Sequence, residues 1–131
     1  AGLLNAAATG TLANHPPLTW RDGYAVTVVI AAAGYPEGPR NGDVIGGLDN
    51  VAAPAYVLHA GTSSRDGHTV SAGGRVLSVT ATGDTLAAAR DAAYAGVEQI
   101  TLDGGHHRTD IALLAVRGEI TLAPPIGGDN R

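Results

Sequence analysis

The sequence predicts an α+β fold in which a small antiparallel or mixed β-sheet packs against one main helix. Three apolar, β-branched segments at residues 24–32, 55–62 and 74–83 have the composition of strands. One amphipathic segment at 85–99 follows the three strands instead of alternating with them. Strands followed by a helix are typical of α+β folds, whereas parallel α/β folds alternate the two elements.

The composition is globular but restricts the core. The 131 residues are 44% hydrophobic and 15% charged, with no Phe, Met or Cys, so Ala, Val, Leu and Ile must fill the interior. The net charge is -4 and the basic residues are scattered arginines, which disfavours a nucleic-acid partner. No apolar run approaches the ~18 residues of a membrane span, and no signal peptide is visible. We expect a cytoplasmic protein with no membrane partner.

The amino-terminal segment has the signals of a helix end followed by a break. Residues 2–10 are rich in Ala and Leu, and Gly10 is placed as a carboxy-terminal cap. The motif Asn14-His15-Pro16-Pro17 then interrupts the chain. We therefore predict a domain boundary near residue 18.

Turn signals separate the predicted strands. Asp22-Gly23 precedes the first strand, and a loop rich in Gly and Pro follows it at 34–43. Val44-Ile45 are expected to form a short strand. Asp66-Gly67 predicts a hairpin turn after the second long strand. In the third, Leu77, Val79 and Ala81 alternate with polar residues and are expected to face the core.

The helix has the clearest periodicity in the chain. Its apolar positions are three and four residues apart, which predicts one buried stripe: Leu86, Ala89, Ala93, Val97 and Ile100. Asp84 is the expected N-cap, with Thr85 opening the helix. The tail at 113–131 is expected to be flexible, or to add an edge strand through LLAVRGEITL.

Taken in order, these segments resemble the carboxy-terminal part of the phosphoribosylamine–glycine ligases, which belong to the ATP-grasp superfamily. The motifs are LLxAAxG, W-x-DG-x-AVxVVxA-x-x-GYP, HAGT, DG, GGRVLxVTAxGDTLxxAR and DG-x-x-x-R-x-DI. The resemblance runs from about residue 3 to residue 112. The ordered set is specific because its pieces keep their spacing over most of the chain.

The resemblance implies a ligase of purine biosynthesis. In that family, ATP phosphorylates the glycine carboxylate, and the amine of phosphoribosylamine attacks the acyl phosphate. The implied organisation is the end of the ATP-grasp lobe at 1–18, a substrate domain at 19–112 and the tail at 113–131. ATP and Mg²⁺ (or Mn²⁺) would bind the upstream lobes, which are the implied partners. We expect residues 1–131 alone to bind neither ATP nor the metal ion and to be inactive.

Gly73-Gly74-Arg75 is the strongest candidate for a substrate site. Two glycines expose backbone N–H groups and Arg75 offers a planar fork of donors, a combination that suits a phosphate monoester. On the residues alone, the more common interpretation of this motif is a glycine bulge before a strand, with Arg75 in a surface ion pair. Related ATP-grasp ligases hold a sugar phosphate with arginines on the corresponding strand. The resemblance therefore implies that Arg75 binds the 5′-phosphate of phosphoribosylamine.

The loop at 34–43 is the second candidate. Gly34-Tyr35-Pro36 lies on the substrate side in the family, which implies that Tyr35 lines the sugar pocket and that Arg40 reaches a phosphate. An ordinary surface loop has the same composition, so the residues alone leave both interpretations open.

The histidines predict neither catalysis nor metal binding. His59 is expected to be a partly buried, hydrogen-bonded residue at a strand end. Adjacent His106 and His107 point to opposite faces of an extended segment, which disfavours a metal site with Asp103 and Asp110. Arg108 and Asp110 are expected to form a structural pair near the helix end.

Two other functional classes remain as alternatives. A non-catalytic binding module that reuses this fold is the main one, and an open sheet edge would let it self-associate. A small His-dependent hydrolase is a remote one, because no Ser or Cys nucleophile motif accompanies the histidines.

Overall fold

The computed structural model describes residues 1–120, in which three α-helices, seven strands and two short 3-10 helices (Leu12–Asn14 and Leu48–Asn50) form an α+β fold. The elements in chain order are α1 (Gly2–Ala8), β1 (Tyr24–Ala31), β2 (Ile45–Gly46), β3 (Ala55–His59), β4 (Thr62–Arg65), β5 (His68–Ser71), β6 (Arg75–Gly83), α2 (Leu86–Gln99), β7 (Thr101–Leu102) and α3 (Leu113–Val116). The predicted fold class is confirmed.

The main sheet has three antiparallel strands in the order β1–β6–β3. Val79 of the central strand lies opposite Val28 on one side and Val57 on the other. The register between β1 and β6 shifts after the pair Ile30–Leu77, since the next pair is Ala31–Arg75. Val76 therefore has no partner on β1, and this bulge explains why Val76 and Leu77 are both buried although they are adjacent.

Helix α2 covers one face of this sheet and forms the core with it. Ala89, Ala93 and Val97 are buried, which confirms the predicted stripe, while Leu86 and Ile100 are partly buried at its ends. Gly96 allows the close approach, because a Cβ at this position would lie 2.9 Å from Cγ1 of Val79.

The N-cap of α2 differs from the prediction. Thr85 has extended backbone angles, and its Oγ1 accepts a hydrogen bond from the Ala88 N–H at 3.1 Å. Thr85 therefore caps the helix, and the assignment of this role to Asp84 is wrong. Both residue types cap helices well, so the sequence did not distinguish two neighbouring candidates.

Two short pairings complete the fold. Strands β4 and β5 form the predicted hairpin, whose turn residues Asp66 and Gly67 both have positive φ angles, 52° and 79°. These angles are those of a type I′ turn, which favours Asp-Gly. Strand β2 pairs with β7, so the predicted short strand is present one residue later than expected.

Short helices lie near both ends of the described residues. Helix α1 is followed by Gly10 with a φ of 71°, as the cap prediction requires. Leu113–Val116 form the helical turn α3, so the alternative of an edge strand is wrong for these residues. The rest of the predicted tail, from 121 to 131, lies outside the described residues. Among residues 1–120, no helix is both long and apolar enough to cross a membrane.

Candidate functional site

The loops that follow β1 and precede β6 meet at one place. The carbonyl of Gly74 accepts a hydrogen bond from the Ala32 N–H at 2.9 Å. The ring of Tyr35 covers Gly74, because a Cβ on Gly74 would lie 2.7 Å from Cε2 of that ring. The fold therefore brings Tyr35 together with Gly73, Gly74 and Arg75, although the two segments are far apart in the sequence.

This meeting point holds hydrogen-bond donors that the described residues leave without acceptors. Within residues 1–120, neither the N–H of Gly73 nor that of Gly74 has a protein acceptor. The exposed guanidinium of Arg75 likewise makes no hydrogen bond or ion pair there, so the surface ion pair considered as an alternative is not formed. Two backbone donors beside a cation are a suitable set for an anionic oxygen group.

Gly61 supports this arrangement and was not recognised as a site residue from the sequence. Its N–H donates to the Arg75 carbonyl at 2.9 Å, and its carbonyl accepts from Ala72 at 2.8 Å. A Cβ on Gly61 would lie 2.9 Å from Cα and 3.1 Å from N of Gly73. A larger residue would therefore crowd the N–H of Gly73. The available signal was a glycine inside a predicted strand, in the motif HAGT.

Arg40 connects the loop at 34–43 to the turn that follows β7. Its Nε donates to Asp43 Oδ2 at 2.7 Å, and its Nη2 donates to the Asp103 carbonyl oxygen at 2.8 Å and to the Asp103 carboxylate. The hydrogen bonds to Asp43 and then to Asp103 raise the pKa of Arg40. These contacts give Arg40 a structural role in holding the loop, and its contact with a phosphate stays a prediction.

The three histidines singled out from the sequence have separate surroundings. His59 is hydrogen-bonded to Thr62 at 3.1 Å, as expected, but it is exposed, so its predicted partial burial is wrong. His106 pairs through its backbone with Ala31 at the edge of β1. The His107 ring faces Tyr94 with centroids 6.1 Å apart. Among residues 1–120, no three His, Asp or Glu side chains are grouped to hold a metal ion.

Arg108 and Asp110 form the structural pair that the sequence predicted. Arg108 donates from Nε to Oδ1 at 2.8 Å and from Nη2 to Oδ2 at 2.6 Å. The hydrogen bond from Arg108 lowers the pKa of the Asp110 carboxyl. The pair lies beside the middle of α2, whereas the prediction placed it near the helix end.

Arg90 and Tyr94 of α2 hold the segment at 108–111 in place, and this role was not identified from the sequence. The Tyr94 hydroxyl donates to the Arg108 carbonyl at 2.7 Å and accepts from the Ile111 N–H at 3.1 Å. Arg90 stacks over the Tyr94 ring, 4.4 Å from its centroid, and donates to the carbonyls of Thr109 and Ile111. Both residues satisfy backbone groups of the segment, so their role here is to position it.

Comparison with known proteins gives one consistent result. Residues 25–114 match the family described as "Phosphoribosylglycinamide synthetase, C domain". The chain is 62% identical over 119 residues to a phosphoribosylamine–glycine ligase of Streptomyces coelicolor, covering 88% of this chain and 29% of that protein. It is 53% identical over 122 residues to the enzyme of that name from Corynebacterium ammoniagenes, covering 93% and 28%.

A solved structure has the same fold. The crystal structure of a phosphoribosylamine–glycine ligase from Thermotoga maritima matches with a TM-score of 0.70 and 36% sequence identity. The match covers 85% of this chain and 27% of that one. The chain thus spans less than a third of the length of the relatives that it matches, and it corresponds to their carboxy-terminal part.

Proposed function

The chain belongs to the family of phosphoribosylglycinamide synthetase C domains, and on that premise we propose that it forms the phosphoribosylamine-binding wall of a phosphoribosylamine–glycine ligase. The amine nitrogen of this substrate attacks an activated glycine carboxyl group. The new C–N bond forms as the C–O bond to the leaving phosphate breaks, which gives glycinamide ribonucleotide. An acyl phosphate hydrolyses readily, so the amine must be held close to it and water excluded.

The observation that carries the proposal is the set of free donors at the start of β6. A phosphate monoester is dianionic and needs charge-assisted hydrogen bonds. The Arg75 guanidinium supplies the charge, and the N–H groups of Gly73 and Gly74 supply fixed backbone donors. Gly61 supports the proposal because it leaves space beside Gly73.

Tyr35 is the proposed wall of the sugar subsite. Its ring already lies on Gly74, next to the proposed phosphate donors. A ring in this position would cover the ribose side of the substrate and help to keep water away from the reacting amine. Arg40 serves this subsite through the loop that it holds, by its contacts with Asp43 and Asp103.

ATP with Mg²⁺ supplies the phosphoryl group that activates glycine, and we propose that both bind the preceding part of the polypeptide. The described residues do not provide a convergent carboxylate group for the metal. We expect the 131-residue chain alone to make no glycinamide ribonucleotide. Glycine-dependent ATP hydrolysis by this chain would contradict that expectation.

The test is steady-state kinetics of Arg75→Ala in the full-length ligase, with each substrate varied in turn. Loss of a charge-assisted contact costs about 1.5–3 kcal/mol, which corresponds to about one to two decades in kcat/KM for phosphoribosylamine. The KM values for ATP and glycine should hardly change. Arg21→Ala is the matched control, because Arg21 also makes no side-chain hydrogen bond or ion pair within residues 1–120.

Two outcomes would reject the assignment of the phosphate to Arg75. One is unchanged kinetics for phosphoribosylamine. The other is an equal loss for all three substrates, which would identify Arg75 as a structural residue.

A further inference from the structure

His106 extends the main sheet by one residue beyond the edge of β1. Its N–H donates to the Ala31 carbonyl at 3.0 Å, and its carbonyl accepts from the Ala31 N–H at 2.8 Å. On its other side, Ala31 lies opposite Arg75 of β6. Arg75, Ala31 and His106 therefore form one row across the sheet, although the three residues are far apart in the sequence.

Ala31 belongs to the face of the main sheet that α2 does not cover, which we call the open face. Side chains of a strand alternate between the two faces. Ile30 packs in the core under α2, so the next residue, Ala31, lies on the opposite face. Residues paired directly opposite each other carry their side chains on the same face. The pairing therefore places Arg75 and His106 on the open face as well.

The neighbour of His106 supports this assignment. The His107 ring faces Tyr94 of α2 with centroids 6.1 Å apart, and it lines a hollow together with Ile30 and Val97. His107 therefore points to the side of the helix. Because adjacent residues of an extended segment point to opposite faces, His106 points away from α2.

The two ends of this row carry free polar side chains. Arg75 and His106 are both exposed, and within residues 1–120 neither side chain makes a hydrogen bond or an ion pair. Ala31 ends at its Cβ, so no long side chain of the row separates them. Pairing distances in an antiparallel sheet put the Cα atoms of Arg75 and His106 about 10 Å apart. A sugar phosphate bound at Arg75 can therefore extend across Ala31 to His106.

We propose that His106 contacts the ribose of phosphoribosylamine, through a hydrogen bond between its imidazole ring and a ribose hydroxyl group. This inference rests on the proposed function, in which the start of β6 holds the 5′-phosphate. The sugar is the group next to that phosphate, and the row from Arg75 through Ala31 leads away from the phosphate donors to His106. His106 is then a residue that determines specificity for the sugar, in addition to the wall formed by Tyr35.

The chemistry of imidazole suits this contact. In the neutral ring one nitrogen donates a hydrogen bond and the other accepts one, and a ribose hydroxyl can do both. The two acidic residues nearest in the sequence do not compete for the ring, because Asp103 is bound by Arg40 and Asp110 by Arg108. No group of three His, Asp or Glu side chains within residues 1–120 offers a metal ion as an alternative ligand of His106.

Ligand binding to the full-length ligase tests the contact. Glycinamide ribonucleotide, the product, carries the ribose and the 5′-phosphate, whereas methyl phosphate carries only the phosphate ester. Calorimetric titration measures the first affinity, and displacement by methyl phosphate measures the second. We expect His106→Ala to weaken binding of glycinamide ribonucleotide by about three- to tenfold, through the loss of one hydrogen bond. Its affinity for methyl phosphate should stay unchanged.

Two further variants separate binding from structure. His107→Ala is the matched control, because it removes the same ring from the adjacent residue on the opposite face. Its affinity for glycinamide ribonucleotide should equal that of the parent protein. His106→Gln puts back a side chain that donates and accepts hydrogen bonds, and it should recover at least part of the affinity.

Other results would overturn the proposal. Unchanged affinity for glycinamide ribonucleotide in His106→Ala would show that the ring does not touch the sugar. An equal loss for methyl phosphate, with no recovery in His106→Gln, would show that His106 only supports the strand.

Arg75→Ala distinguishes this inference from the proposed function, because its loss should weaken both ligands. If Arg75→Ala weakens both and His106→Ala weakens neither, only the sugar contact is wrong. If Arg75→Ala leaves both affinities unchanged, the proposed phosphate site is wrong. A loss in His106→Ala that is confined to glycinamide ribonucleotide would then still identify the sugar contact.

Discussion

The ring of Tyr35 lies against the α-carbon of Gly74, so closely that residue 74 has no room for a side chain. This contact joins the loop after β1 to the loop before β6. The donors assigned to the substrate phosphate lie at that junction, and Tyr35 stands beside them. The position of Tyr35 and the conformation of Gly73-Gly74 therefore depend on each other.

Gly74→Ala should separate these two loops. The new methyl group would occupy the space of the Tyr35 ring, and overpacking of this kind costs about 1–3 kcal/mol of unfolding free energy. In the full-length ligase we expect kcat/KM for phosphoribosylamine to fall by about tenfold or more. Gly38→Ala is the control from the same loop, because a Cβ there meets no atom within 4 Å. An equal kcat/KM for phosphoribosylamine in the two variants would show that Tyr35 is not part of the substrate site.

Val97→Asp should unfold the domain or nearly so. Val97 is 4% exposed and packs between α2 and the sheet. An aspartate there loses apolar burial and places an unpaired charge in the core, which together cost about 3 kcal/mol or more. Urea denaturation of the 131-residue chain measures the loss. Ala95→Asp, on the exposed side of the same helix, should cost about 1 kcal/mol or less, and a similar loss in both variants would mean that the buried side is misassigned.

Thr85→Ala should destabilise α2 more than Asp84→Ala does. The Thr85 hydroxyl accepts a hydrogen bond from the Ala88 N–H, whereas Asp84 makes no side-chain contact of this kind among the described residues. Removal of a cap typically costs about 1 kcal/mol. The unfolding free energies of the two variants identify the capping residue. A larger loss for Asp84→Ala would mean that Asp84 is the N-cap, as the sequence predicted.

Ala112→Gly should stabilise the chain. Ala112 has a φ of 60°, a left-handed conformation in which its Cβ is strained. This strain costs about 1–2 kcal/mol, and glycine removes it. Part of the gain is lost to the greater entropy of glycine in the unfolded state, so we expect a net increase of about 0.5–1 kcal/mol. The same change at Ala95, inside α2, should instead lower the unfolding free energy by about 1 kcal/mol.

Asp110 should titrate below an ordinary aspartate. The hydrogen bond from Arg108 lowers its pKa in the folded state. A carboxyl pKa that is lower in the folded state than in the unfolded state stabilises the fold at pH values above the unfolded-state pKa. This contribution is lost as the pH falls through the folded-state pKa. The pair is exposed, so solvent screens it and the effect on stability should be small. A carbon-13 NMR titration of the Asp110 carboxyl should show that its pKa rises in Arg108→Ala. An unchanged pKa would show that Arg108 does not cause the lowered value.

The candidate site could be predicted only in part. The motif Gly73-Gly74-Arg75 indicated an anion site because glycine exposes donors and arginine carries charge, and the resemblance implied that Tyr35 lines the sugar pocket. The part played by Gly61 could not be foreseen, since it depends on how closely two separate backbones approach. The contact between Arg40 and Asp103 could not be foreseen either, because these residues are 63 positions apart and meet only in the folded chain.

The sequence by itself determined the local elements of this protein and its family. The strand at Tyr24–Ala31, the turn at Asp66-Gly67 and the helix at Leu86–Gln99 were predictable because each depends on spacing or turn chemistry within a few residues. Tertiary structure alone decided which backbone donors stay free, which loops meet and which sheet face stays open. These features arise from contacts between distant segments, and the free energy of such contacts depends on shapes and distances that local periodicity does not encode.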